Sequence, residues 1–142
     1  MTRIQILEER VSNYLAKMEL APEQAEDGLY LFKYGSTVVM ISLFEQDDET
    51  YVRFASIMLK GFEPTLELLQ RILRLNTEVL FGSFLLFEDD TLSFSATLLG
   101  NHLDFDEFQQ TLKYVAKVSD DYDDELQTLG GGQRAEDVLR EG

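Results

Sequence analysis

The stretch that most constrains this chain is Leu92 to Leu98, where Leu92, Phe94, Ala96 and Leu98 alternate with Ser93, Ser95 and Thr97. A period of two gives a strand one apolar face and one polar face. Just before it, Val79 to Phe87 reads as a second strand, joined by the acidic turn Glu88-Asp89-Asp90-Thr91. Upstream, Thr65 to Asn76 has helical spacing. Pro64 suits a first turn, where a missing N–H costs nothing, and Asn76 tolerates the left-handed conformation that stops a helix. The stretch from Glu63 to Leu99 therefore predicts helix, strand, strand, with the rest of the chain completing the sheet and covering it.

The preceding residues supply the other strands. Thr2 to Leu20 is an amphipathic helix, with Ile4, Leu7, Val11, Tyr14, Leu15 and Met18 on one side. Ala21-Pro22 ends it, and an acidic loop runs on through Asp27-Gly28. Leu29 to Tyr34 and Thr37 to Glu45 are strands joined by Gly35-Ser36, a hairpin turn with positive φ at its first position. The polar turn Gln46 to Thr50 leads to a third strand, Tyr51 to Leu59. Val38, Met40 and Phe44 lie on one face of the second strand and Val39, Ile41 and Leu43 on the other, the pattern of a central strand covered on both sides. In the third, Phe54 and Met58 lie opposite Ala55, Ile57 and Leu59.

After the loop Gly100-Asn101-His102-Leu103, Asp104 reads as an N-cap with Glu107 three residues on. Phe105, Phe108, Leu112, Val115, Tyr122, Leu126 and Leu129 then form one stripe of a long last helix, stopped by Gly130-Gly131-Gly132. The fold class is α+β: a five-stranded antiparallel sheet with three helices, in the order α-β-β-β-α-β-β-α. One domain is expected over residues 1–129, followed by a glycine-started polar tail, 130–142. Few helices against a wide sheet leave apolar surface for a second subunit or a partner.

The net charge of −15, from 27 acidic and 12 basic residues, provides no Lys/Arg cluster for releasing counterions from DNA, RNA or an anionic membrane. Without cysteine there is no disulfide, thiolate metal site or thiol nucleophile. Single His102 lies in a loop with no orienting partner. The run Asp120-Asp121-Tyr122-Asp123-Asp124-Glu125 invites a calcium reading, but position 6 of that loop is Leu126 and position 12 is Gly132. A solvated helix face explains it better. Asp47-Asp48 and Asp89-Asp90 sit in polar turns where water keeps carboxylates ionised, and the triple glycine neither follows a strand nor opens a helix. No nucleophile, metal set or phosphate loop emerges, so the chain is not expected to be an enzyme, and folding is not expected to depend on metal. The first residues hold no long apolar run, and Glu8 and Glu9 argue against a transit peptide, so the cytoplasm is the expected location.

The helix TLELLQRILRLN, the strand GSFLLF, the turn EDDT, the strand LSFSATLL and the opening DFDEFQQTLKYVAKV resemble the C-terminal half of the YbjN family. That family shares the fold of the type III secretion chaperones. The closing VSDDYDDELQTLGGGQRAED is similar to cyanobacterial members. The resemblance implies an α+β homodimer without cofactor and a chaperone-like or regulatory role exercised by binding protein.

Residues and resemblance together indicate a non-enzymatic protein-interaction module that binds an unidentified protein partner through apolar sheet or helix surface. The alternative is a small regulatory ligand-binding protein with an apolar pocket between sheet and helices. Candidate interface residues are Leu66, Leu69, Ile72 and Leu73 on the middle helix, with Tyr122, Leu126 and Leu129 on the last. The latter three are expected to dock on the first helix or a neighbouring subunit, with Val138 and Leu139 as an optional further contact.

Overall fold

A computed structural model describes residues 1–26 and 28–134 of the chain; Asp27, Val138 and Leu139 lie outside the described residues. Its elements are α1 (Arg3–Lys17), β1 (Glu23–Glu26), β2 (Leu29–Tyr34), β3 (Thr37–Gln46), β4 (Glu49–Lys60), α2 (Leu66–Leu75), β5 (Ser83–Leu86), β6 (Leu92–Leu99), α3 (Phe105–Gly130) and β7 (Gln133–Arg134). The α+β class and the antiparallel pairing agree with the sequence reading. The sheet has seven strands, however, in the order β1-β2-β3-β4-β6-β5, with β7 added to β4. The additions are short: β1 lies along β2, and Gln133–Arg134 pairs with Leu59 and Lys60. Gly132, at φ 82, makes the second addition possible, because a Cβ there would come within 2.6 Å of the Lys60 carbonyl oxygen.

Local chemistry sets the boundaries. Thr2 caps α1 in a capping box with Gln5, and the helix ends earlier than expected because Glu19 takes φ 59. Asp47 and Asp48 both adopt positive φ, making the two-residue hairpin turn that keeps β3 and β4 in register. Thr65 caps α2 by accepting from the Leu68 amide, so Pro64 precedes the helix and does not open it. Asn76 stays right-handed at the other end, and its Oδ1 accepts from the Phe84 amide at 2.7 Å, tying β5 to the helix end. The strand expected from Val79 is consequently shorter and begins only at Ser83. Asp104 caps α3 as expected, accepting from the Glu107 amide at 2.7 Å.

All three helices contribute to one core on one face of the sheet. Leu7, Val11 and Leu15 of α1, Leu68, Ile72 and Leu75 of α2, and Phe108, Leu112, Val115 and Leu126 of α3 bury against Phe32, Val39, Ile41, Val52, Phe54, Phe84 and Phe94. Tilted aromatic pairs such as Phe54–Phe108, with centroids 5.2 Å apart, fill the space between the layers. A bulge between Ile57 and Leu59 turns Leu59 into this core, contrary to the simple alternation expected of its strand. Among the described residues, no helix lies on the opposite face. Val38, Met40 and Phe44 are half-buried there and do not join the core, so β3 is central but covered on one side only.

Candidate functional site

Register shows which side chains share the uncovered face. Pairing of Leu31 with Met40, Met40 with Ala55, and Ala55 with Ser95 lays these residues in one row across β2, β3, β4 and β6. The next row toward the β3–β4 turn carries Ser42, Arg53 and Thr97; beyond it stand Phe44, Tyr51 and Leu99. On the other side, Ile57 pairs with Ser93, and Ser93 with Leu85.

Ala55, Ser93 and Ser95 are almost inaccessible although no helix lies over them. Their side chains are short and stand among the taller Met40, Ile57 and Leu85, so they form the floor of a depression. Ser93 satisfies its hydroxyl by donating to the Ser56 carbonyl at 2.8 Å. A shallow cavity of about 570 Å³ opens here, lined by Met40, Ile57, Phe87, Thr91 and Ser93 and by the charged Lys60, Glu88 and Asp89. A small-residue floor beside apolar Met40, Ile57 and Phe87 suits an incoming side chain or backbone.

Arg53 stands at the centre of the face. Its guanidinium lies 4.9 Å from the Phe44 ring centroid, and its Nε donates to Thr97 Oγ1 at 3.2 Å. Phe44 in turn stacks on Tyr51, with centroids 5.4 Å apart. None of the ion pairs among the described residues involves Arg53. The sequence reading missed this group; its signal was a single charge at an outward position inside the apolar run Tyr51 to Leu59.

The structure divides the candidate interface residues. Leu66 and Leu73 are exposed, and Leu69 is half-buried on the outer side of α2, whereas Ile72 faces the core. Leu80, Phe81, Leu86 and Phe87 add exposed apolar surface in and around β5, the edge strand beyond β6. Leu126 is fully buried; Tyr122 and Leu129 pack at the margin of the same core. This end of α3 lies against α2 and β5. Tyr122 meets Phe84 edge-on, the Glu63 amide donates to the Gly130 carbonyl, and Arg71 pairs with Glu125 at 2.5 Å. The opening of α3 touches α1, where Tyr14 packs on Phe105 and Phe108.

The acidic run is largely spoken for by cations: Lys117 binds Asp121, Arg134 binds Asp124, and Arg71 binds Glu125. The Arg71 guanidinium holds the Glu125 carboxyl below its ordinary range. Asp123 goes the other way, pushed up to about 6 by burial first and then by Asp124 and Asp120. Among the described residues, no group of His, Asp or Glu is arranged to hold a metal ion, and no helix is long and apolar enough to cross a membrane. His102 is exposed, and the region between sheet and helices is occupied by Phe54, Phe94 and Phe108.

A sheet backed by helices on one face, and by no described residues on the other, is a two-layer α+β architecture. Comparison with known proteins narrows the class. The family model "T3SS (YopN, CesT) and YbjN peptide-binding chaperone 1" matches residues 5–138, and the chain belongs to this family. Solved structures share its fold, three among them at high coverage. One is a chain of the ExsC–ExsE complex, with TM-score 0.71, 11% identity, and coverage of 89% of this chain and 97% of that one. The second comes from the ExoU–SpcU heterodimer of the Pseudomonas aeruginosa type III secretion system, with TM-score 0.60, 12% identity, and coverage of 78% and 93% respectively. In the third, the Yersinia pestis secretion chaperone SycH bound to a stable fragment of YscM2, the values are 0.61 and 14%, over 81% and 98%. No curated protein matches the chain.

Proposed function

We propose that this protein is a non-enzymatic, chaperone-like module that holds a segment of a partner protein on the uncovered face of its sheet. The carrying observation is that face itself: Leu31, Val38, Met40, Ile57 and Leu85 surround a floor of small residues, and none of these apolar side chains joins the core. A solvated apolar surface of this kind is stabilised by a partner. The family description, a peptide-binding chaperone, supports the reading. It requires no cofactor or metal, and residues 1–129 act as its single domain together with the β7 return at Gln133–Arg134. The dense negative charge speaks against nucleic acid and membrane, and the cytoplasm is the proposed location.

The protein works as a homodimer in this account. Leu66, Leu69 and Leu73 of α2, with Leu80 near the β5 edge, form a separate apolar surface suited to a second copy. Sedimentation should show a dimer mass that Leu73→Glu reduces to the monomer.

The binding surface is tested by selecting displayed random peptides on the full chain. Enrichment should be lost in Met40→Asp and kept in Leu66→Asp. Equal enrichment by wild type and Met40→Asp would remove the sheet face from the account.

A further inference from the structure

Among the described residues, no acidic residue falls in the register rows around Arg53 on β3, β4 and β6. Carboxylates stand at the border: Glu23 is opposite Leu31 on the outermost strand, Glu49 is beside the β3–β4 turn, and Glu88 and Asp89 line the depression from the β5–β6 turn. The residues flanking Arg53 across the strands, Ser42 and Thr97, are neutral, and so are Tyr51 and Ala55 along its own face of β4. In a chain of net charge −15, an arginine here has no carboxylate partner among the described residues.

Arg53 is nevertheless held in place. Stacking on Phe44, itself stacked on Tyr51, restrains the guanidinium plane, and the bond to Thr97 engages Nε alone. The Nη groups keep their donors, in the fork geometry that matches a carboxylate. At the two ends of the face, Asp47-Asp48-Glu49 and Glu88-Asp89-Asp90 repel further negative charge.

We infer that the partner segment seated on this face carries one Asp or Glu side chain set among apolar residues, gripped by Arg53, with no further acidic residues toward its ends. The inference rests on the binding surface proposed above and specifies what that surface selects. Apolar neighbours of the carboxylate occupy the depression between Met40, Ile57 and Leu85. The carboxylate meets a cation already oriented, so little ordering is required at the moment of binding.

The test is the sequence pattern of random peptides selected on the full chain, compared between wild type, Arg53→Gln and Arg53→Glu. Wild type should enrich a lone acidic residue flanked by apolar ones. Arg53→Gln should weaken the best wild-type peptide about tenfold, the scale of one charge-assisted pair. Arg53→Glu should replace the acidic residue with Lys or Arg at the same position. An unchanged pattern in Arg53→Glu, with binding still abolished by Met40→Asp, would overturn the carboxylate inference and leave the surface standing. Indifference to Met40→Asp would overturn both. If Met40→Asp instead converts a dimer to a monomer in sedimentation, the face is covered by a second copy, and the inference fails. Thermal melting of each variant confirms that the fold is intact.

Discussion

The two faces of this sheet are made from the same strands, yet they follow different rules. On the covered face the residues are mostly large, apolar and excluded from water: Val39, Ile41, Val52, Phe54 and Phe94 are each 0% exposed, and the buried Ser56 between Val39 and Phe94 is a polar exception. On the open face apolar side chains are interleaved with Ser42, Arg53, Ser93, Ser95 and Thr97. Close packing of large side chains fixes one native arrangement, and polar interruptions in it would cost stability. A surface that must stay soluble alone and still accept a partner needs those interruptions. The covered face answers to folding, and in the proposed function the open face answers to binding.

The sharpest way to break this comparison is to truncate one side chain on each face. Phe54→Ala should lower unfolding free energy by about 3–5 kcal/mol, the range for a buried aromatic, and Met40→Ala by about 1 kcal/mol or less. Denaturant titration measures both. Equal losses would mean that the open face is structural.

Leu126→Ala comes next, at about 2–5 kcal/mol, because the end of α3 belongs to the covered core and is not a spare arm. A loss near zero in the same titration would restore that helix end to the role of a docking stripe.

A smaller effect follows from pH. The folded-state Asp123 carboxyl titrates near 6, above its ordinary 3.8, so the folded chain binds more protons than the unfolded one in that window. Its contribution to stability therefore declines as pH rises from about 4 to 6, and Asp123→Asn should raise the melting temperature at pH 7 while changing little at pH 4. Glu125 has the opposite sign: its pairing with Arg71 stabilises above the ordinary carboxylate range and fades on acidification. Melting curves of Asp123→Asn that parallel the wild type at both pH values would contradict the assignment.

Much of the fold was legible because its signals are local. Alternation marked β6, Gly35 placed its hairpin, and Asp104 with the stripe behind it gave α3 almost to the residue. What escaped depended on partners distant in sequence. Asn76 was expected to end its helix left-handed but is committed to Phe84 across the loop; Leu59 changed face through a bulge; and β7 exists only because β4 offers it an edge. The surplus of apolar strand surface was readable, but its location was not. Val38 and Val39 look alike in a sequence, and only the side taken by the helices separates them. Arg53 was equally hidden, since its significance lies in neighbours from β3 and β6.

The central claim, that the uncovered sheet face receives the partner, can be measured directly because the chain has no cysteine. Met40→Cys, Val39→Cys and Gln110→Cys place one thiol each on the open face, in the core and on an exposed position of α3. In the free protein the thiols at positions 40 and 110 should react with a maleimide probe far faster than the one at 39. With a selected peptide at saturation, position 40 should become protected while position 110 keeps its rate. Undiminished labelling at position 40 in the saturated complex would contradict the account.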